Sequence, residues 1–313
     1  MIAIGIDIGG TSIKGAAIDS TGKVYDVFSM PVIKGEKGEE TIAKLSALVN
    51  EYIANHHFDE KIEGIGLGVP GIIDSVNGVV SFSSNLKWEN LPIRQLMEDA
   101  TGLKVKITND ANAAALGEAR FGAGKNYSSS IMITLGTGVG GGVVIDNKLV
   151  EGNQGKGAEL GHMVIVLDGR ECGCGRKGCL EAYASATGLI VDTKIAMEKH
   201  PESLMHKIAQ ELGKVDARVA FNAEKQGDKA AKEVIDQYIM YLSEGLMNYC
   251  NIFRPEVFIL SGGIANEGKN LTDRVEKYLK EHDYGYKNSP SVDVVIASLG
   301  YDSGKIGAAC LIL

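Results

Sequence analysis

The sequence predicts an α/β protein made of two related halves, and three observations predict it. Apolar runs ending in glycine alternate with stretches of helical spacing along the whole chain. The strand–turn–strand unit that opens the chain, residues 8–19, lies on residues 135–146 at a constant offset of 127, so that Gly9 meets Gly136, Gly15 meets Gly142, Ile18 meets Ile145 and Asp19 meets Asp146. No Pro- or Ser-rich linker interrupts the 313 residues, so the two halves are expected to meet closely around a cleft.

The elements follow in order. "IAIGIDIGG" reads as a strand and a turn, and "SIKGAAID" and "KVYDVFSMPV" continue it as a meander, with "STGK" as the hairpin turn. "GEETIAKLSALVNEYIANH" places Ile42, Leu45, Leu48, Val49 and Ile53 on one helical face. "IEGIGLGVPG" is a buried strand entering a loop. "LPIRQLMEDATG" is a short helix that Gly102 ends, and "KVKITN" is the next strand. An alanine-rich helix begins at once after Asn109–Asp110. The second half restarts with "SSIMITLGTGVGGGVVIDNKLV", continues through the long amphipathic stretch "AAKEVIDQYIMYLSEGLMNYCNIF" and the strand "EVFILSGGI", and closes on a terminal helix in "YDSGKIGAACLIL".

Composition narrows the function. Thirty-two Lys and Arg against 40 Asp and Glu give a net charge of −8, which argues against a general nucleic-acid binder. The N-terminus enters a strand directly, without the pattern of a secretory leader, and no apolar run reaches membrane-spanning length, so the expected location is the cytoplasm. Of five cysteines, Cys172, Cys174 and Cys179 fall within eight residues, whereas Cys250 and Cys310 sit in apolar stretches and read as inert core.

Three groups of residues carry chemistry. The turn "DIGGTSIK" joins two strands, where Gly9 and Gly10 let backbone N–H groups approach an anion and Thr11 adds a hydroxyl. Asp7 beside it could hold Mg²⁺ through water. No helix follows, so this is neither a Walker A loop nor a dinucleotide fingerprint. Gly136, Thr137 and Gly138 repeat the turn in the other half, and Gly262 and Gly263, with Asn266 beyond them, follow a third strand. Such a set suits a nucleotide phosphate chain. The second group is His162, Cys172, Cys174 and Cys179, one imidazole and three thiolates, a donor set that suits tetrahedral Zn²⁺ with no position left open, hence a structural metal. Glu159 and Glu181 flank that loop and are placed to accept hydrogen bonds from the hydroxyls of a polyol such as a sugar. The third is the junction Asn109–Asp110, read either as a helix cap or as a catalytic base.

These residues together resemble the bacterial sugar kinases of the ROK family (repressor, open reading frame, kinase), and within it the glucokinases. The resemblance covers essentially the whole length and rests on "DIGGTSIKGAAID", "VPG" at 69–71, "NLKW" at 85–88, "NDANAAALGE" at 109–118, "LGTGVGGGVV" at 135–144, "GAELGH" at 157–162 and "CGCGRKGCLE" at 172–181. It implies the actin-like, ribonuclease-H-like ATPase fold, with a small lobe of residues 1–109 plus about 301–313 and a large lobe of residues 110–300. It implies Asp110 as general base and Gly71, Asn85, Asn109, Glu159, His162 and Glu181 as sugar-binding residues. It implies zinc on His162, Cys172, Cys174 and Cys179, and ATP with Mg²⁺ as the phosphoryl donor. A homodimer is also implied, since the family is often dimeric, while the charge and the apolar runs argue against nucleic-acid and membrane partners.

One departure from the family pattern is visible. Many members have Lys directly after "GGT"; here Ser12 stands there and Lys14 follows, which leaves open which lysine meets the phosphates. ROK repressors carry a DNA-binding domain ahead of the first strand, and here that strand begins at residue 2, so a repressor role is not expected. The expected reaction is phosphorylation of glucose to glucose 6-phosphate. N-acetylmannosamine, N-acetylglucosamine, fructose, allose and a β-glucoside remain as other acceptors, and a non-catalytic sugar sensor as a reading of a different class.

Overall fold

The computed structural model describes residues 1–58, 60–284 and 288–313. Along the chain the elements are β1 (Ile2–Ile8), β2 (Ser12–Asp19), β3 (Val24–Pro31), α1 (Gly38–Asn55), β4 (Ile62–Val69), β5 (Ile72–Asp74), β6 (Val79–Ser83), β7 (Trp88–Leu91), α2 (Ile93–Thr101), β8 (Val105–Asn109) and α3 (Asp110–Phe121). The second part runs β9 (Ser130–Leu135), β10 (Val139–Ile145), β11 (Lys148–Leu149), α4 (Glu181–Ala184), α5 (Ala186–Lys199), α6 (Leu204–Glu211), α7 (Arg218–Lys225), α8 (Lys229–Phe253), β12 (Val257–Ser261), α9 (Lys269–His282), β13 (Asp293–Ile296) and α10 (Ser303–Cys310).

The duplication seen in the sequence is a duplication of topology. One five-stranded sheet has the order β3-β2-β1-β4-β8, and the other the order β11-β10-β9-β12-β13. In the first, β1–β3 form an antiparallel meander, with Asp7 opposite Lys14, and β4 and β8 add in parallel. In the second, β10 and β11 are antiparallel and β12 and β13 parallel. A small sheet of β5, β6 and β7 stands apart and was not foreseen, because its strands are short and mix exposed Ile72 and Phe82 with buried Ile73 and Val80.

The chain forms two compact units. The first comprises residues 1–130, 142–158 and 297–313; the second comprises residues 131–141 and 159–296. The expected boundary at residue 110 is therefore drawn elsewhere: α3 and the strand–turn segment of residues 142–158 belong to the first unit. The reason is packing. Helix α10 lies against α3, β1 and β4, and a methyl group added at Gly307 would overlap the Ala113 carbonyl of α3. Such a close backbone approach makes α3 and α10 one body.

In the first unit the core is built from β1, β4, β8, α1 and α2. Ile4, Ile6, Ile65 and Leu67 on the strands and Ile42, Leu45 and Val49 on α1 are buried together. On α1, Leu48 and Ile53 are only half-buried. Tyr52 takes the inner place instead, its hydroxyl donating to the Asp26 carbonyl at 2.6 Å. Gly102 ends α2 in the left-handed conformation at φ 67°, the role glycine plays at helix C-termini. In the second unit α8 is the central helix, and its buried Tyr238 donates to the Ala184 carbonyl at 2.9 Å. Cys250 and Cys310 are buried, and burial pushes each thiol up to about 11, in keeping with inert core positions. Among the described residues, no helix is long and apolar enough to cross a membrane.

Candidate active site

In the first unit, β8 runs straight into α3, and the junction shows which residue caps the helix. Asn109 is the N-cap: its side-chain oxygen accepts from the Ala111 N–H at 2.9 Å, and its amide donates to the Gly71 carbonyl at 3.0 Å. Asp110 is the first helical residue, and one of its carboxylate oxygens shares the Ala111 N–H at 2.9 Å. Capping thus falls to Asn109, and the Asp110 carboxylate also takes hydrogen bonds from its own N–H and from the Asn109 side chain. Burial raises the Asp110 pKa above its ordinary value, and the Ala111 N–H pulls the other way.

Asp7, on β1, is the second candidate carboxylate of this unit. Burial raises its pKa first, and the charge of Asp110 raises it further. Lys305 and then Lys14 pull it down. Lys305 sits in the first turn of α10 with its side chain almost fully covered, and its ammonium pairs with Asp302. Gly304, the residue before it, has no room for a side chain: a Cβ there would stand 2.8 Å from the Asp7 carboxyl carbon. Lys14, opposite Asp7 on β2, is exposed, as is Thr11 in the turn. Gly9 donates its N–H to the Ser12 carbonyl at 2.9 Å, which closes that turn. Gly10 faces Asn85, whose Cβ would be 3.9 Å from a methyl group on the glycine. The structure therefore brings Asp7, Gly10, Asn85, Gly71, Asn109 and Asp110 into one unit.

In the second unit the metal-binding candidates converge. The ligand atoms of His162, Cys172, Cys174 and Cys179 all lie within 4.8 Å of one another. Cys172 Sγ is 3.6 Å from His162 Nδ1, and Cys174 Sγ is 3.7 Å from Cys179 Sγ. Donors about 2.0–2.3 Å from one tetrahedral Zn²⁺ stand roughly 3.5–3.8 Å apart, so the residues fit the ion. Nδ1 of His162 faces the sulfurs, which leaves Nε2 for another partner. The loop is fastened by backbone bonds, Cys172 N–H to the Arg176 carbonyl at 2.9 Å and Leu180 N–H to the Met163 carbonyl at 2.8 Å. Tyr183 accepts the Arg170 N–H at 2.7 Å, and the Arg170 guanidinium is paired with Asp192.

Glu181 connects this loop to the second glycine turn. One oxygen accepts the Val139 N–H at 3.0 Å, and the other lies 3.4 Å from Cys172 Sγ. Gly138 must be glycine for this approach, because a side chain there would overlap the carboxylate. Thr137, Gly138, Cys172 and Glu181 line a cavity of about 550 Å³ together with Arg170 and Thr187. Glu159 is exposed three residues before His162. Gly136 donates to the Gly138 carbonyl at 3.0 Å, and Gly262, at φ 88°, packs against the Leu135 backbone. Gly263 and Asn266 are exposed on a short 3₁₀ turn, Gly263–Glu267.

Three features escaped the sequence reading. Gly304 and Lys305 beside Asp7 come from the far end of the chain, and nothing local marks them. Glu118 lies inside "NDANAAALGE" yet is fully buried, with partners 180 residues away. The pairing of Glu181 with Val139 depends on the fold of the metal loop.

Comparisons with known proteins show the family of the chain. The ROK family model matches residues 3–313. A glucokinase of Thermotoga maritima is 37% identical over 99% of this chain and 96% of its own length. Among solved structures, a ROK family glucokinase from Streptomyces griseus in complex with glucose and AMPPNP is 34% identical, with a TM-score of 0.77, covering 100% of this chain and 99% of that one. A ROK hexokinase from Thermus thermophilus is 32% identical, with a TM-score of 0.78, covering 99% and 97%.

Proposed function

We propose that this chain, which belongs to the ROK family, transfers the γ-phosphoryl group of ATP to the 6-hydroxyl of glucose. The observation that carries the reading is the Asn109–Asp110 junction: the cap is supplied by Asn109, and a half-buried carboxylate stands beside it at a helix N-terminus. The helix dipole favours the charged form while burial makes it more basic than a free aspartate, the combination a general base needs. Similarity to a glucokinase solved with glucose and AMPPNP supports both the acceptor and the donor.

In the reaction, Asp110 accepts the 6-hydroxyl proton as that oxygen attacks the γ-phosphorus in line. The bond to the β,γ-bridging oxygen breaks, and ADP leaves. Asn109, Glu159, His162 and Glu181 hold the other sugar hydroxyls, with Gly71 and Asn85 as wall. In the turns at Gly9–Thr11 and Gly136–Gly138, the Gly9 and Gly136 N–H groups close the turns, those of Gly10, Thr11, Thr137 and Gly138 meet the phosphates, and Gly262, Gly263 and Asn266 lie on the nucleoside side. Of the lysines, Lys14 is the exposed one opposite Asp7 and the candidate for phosphate contact. The carboxylate of Asp7, flanked by the charge of Asp110, suits Mg²⁺ held through water, which would neutralise phosphate charge. His162, Cys172, Cys174 and Cys179 would hold zinc as a structural ion that fixes the loop carrying Glu181.

The test is an ADP-release assay with ATP and Mg²⁺ across a sugar panel, glucose and N-acetylmannosamine first. Turnover is expected with glucose in preference to the rest. Preference for an N-acetyl sugar would move the acceptor and keep the chemistry. No sugar-dependent turnover in folded, zinc-loaded protein would overturn the kinase reading in favour of a sensor.

A further inference from the structure

Glu118 is a fully buried carboxylate for which the reaction above has no use. It lies near the C-terminal end of α3, and its two oxygens collect hydrogen bonds from two separate stretches of backbone. One oxygen accepts from the N–H groups of Ser298 at 3.0 Å and Leu299 at 2.7 Å. The other accepts from Ala123 N–H at 2.8 Å and from Ser298, through its N–H at 3.1 Å and its hydroxyl at 3.4 Å. No neutral isostere can serve all of these donors. A glutamine would turn an NH₂ group toward backbone N–H groups, which leaves buried donors without acceptors.

The location gives the arrangement a meaning beyond stability. Residues Ser298 and Leu299 lead through one 3₁₀ turn, Gly300–Asp302, into the first turn of α10. That first turn presents Gly304 against the Asp7 carboxylate and places Lys305, whose charge bears on Asp7. The far side of α10 is locked to α3 at Gly307 and Ala113. Glu118 therefore ties the helix that begins with Asp110 to the lead-in of the helix that abuts Asp7.

We propose that Glu118 is a positioning residue for the nucleotide side of the site: by holding residues 298–299 it sets the first turn of α10 against Asp7. The inference rests on Asp7 serving the Mg²⁺–nucleotide complex, as in the proposed function. Its consequence is a selective one. Loss of the carboxylate loosens the surroundings of Asp7 and leaves the sugar-binding residues, Asn109 and Gly71 on β8 and the loop after β4, as they were.

The experiment compares wild type, Glu118→Gln and Gly122→Ala. The last reaches the same carboxylate independently, because a methyl group at residue 122 would overlap the Glu118 carboxylate. Calorimetry measures the affinity for Mg²⁺–AMPPNP and, separately, for glucose. Circular dichroism confirms that each variant is folded at the measuring temperature. The expected result is a nucleotide dissociation constant raised about tenfold or more in both variants, the scale of losing one to two kcal/mol of interaction, with glucose affinity within about twofold of wild type. Rescue is expected to be partial in Glu118→Asp, which keeps the charge on a shorter arm. Unchanged nucleotide affinity in a folded Glu118→Gln would overturn the inference and leave Glu118 a stability residue. Equal losses for glucose and nucleotide would also overturn it. If wild type itself bound no nucleotide, the kinase reading would fall, which is a different outcome.

Discussion

The candidate residues of the two units are held by different means. Asp110 and Asp7 stand on regular elements. Each is placed by a strand or helix whose backbone is in close contact with its neighbours, as Gly307 is with Ala113 and Gly304 with Asp7. The loop bearing His162 and Glu181 has little regular structure. From 159 to 180 only Leu160, Gly161, Gly178, Cys179 and Leu180 are buried, and the remainder is half-buried or exposed. Its shape comes from four metal-binding candidates, a few backbone bonds and the anchoring of Glu181 on Val139. Packing positions one set of carboxylates; the other stands on a loop held by backbone bonds and, in the proposed reading, by a bound zinc. The lesson is that the two sets should fail under different perturbations.

The largest difference is expected on removing the metal. Chelation under reducing conditions should release one zinc per chain and open residues 157–181 to limited proteolysis. Glucose affinity should then fall about 10–100-fold, the usual scale for disturbing a metal site and its surroundings, while the unit that holds Asp110 stays folded by circular dichroism. Freshly purified protein that contains no zinc would break the comparison at its root.

A smaller effect is expected in the packed unit. Gly307→Ala places a methyl group where the Ala113 carbonyl stands, and neither backbone can yield without moving a helix. Overpacking of this kind costs about 1–3 kcal/mol. The variant should show a lower unfolding midpoint in denaturant with zinc content unchanged. A midpoint equal to wild type would mean that α3 and α10 are not one body.

The pH dependence sharpens the contrast further. Burial raises the Asp110 pKa, so the acid limb of kcat/KM for glucose should lie above the ordinary aspartate value of 3.8. The same shift has a stability counterpart. A carboxylate whose folded pKa is raised costs stability once the pH is above that folded value, and the cost vanishes below the unfolded one. Asp110→Asn should therefore unfold at the same or a higher temperature than wild type at pH 8, with the gap closing as the pH falls toward 4. A variant markedly less stable than wild type at pH 8 would show that the carboxylate is structural.

The parts of this site that the sequence makes legible are local ones. The metal-binding set spans residues 162–179, and its spacing is visible without a fold. Asp110 is legible because a strand pattern stops and a helix pattern starts on either side of it. The duplicated sheets are legible because glycine turns recur at matching places. The small sheet of β5–β7 is not, since its strands are three to five residues long and lack clean alternation. The division of the chain into units is not legible either, because α3 is joined to α10 by contacts across 190 residues of sequence. Glu118 and Lys305 share that cause: what matters about them is which distant backbone or carboxylate they meet, and neither residue type nor spacing announces it.

The most direct test of the central claim is the Asp110→Asn variant, assayed for glucose-dependent ADP release and for glucose binding in the same preparation. A turnover loss of about 10²–10⁴-fold, with folding and glucose affinity unchanged, is the predicted result. A variant that keeps more than a few per cent of the wild-type rate would contradict it, and the base would have to be sought elsewhere.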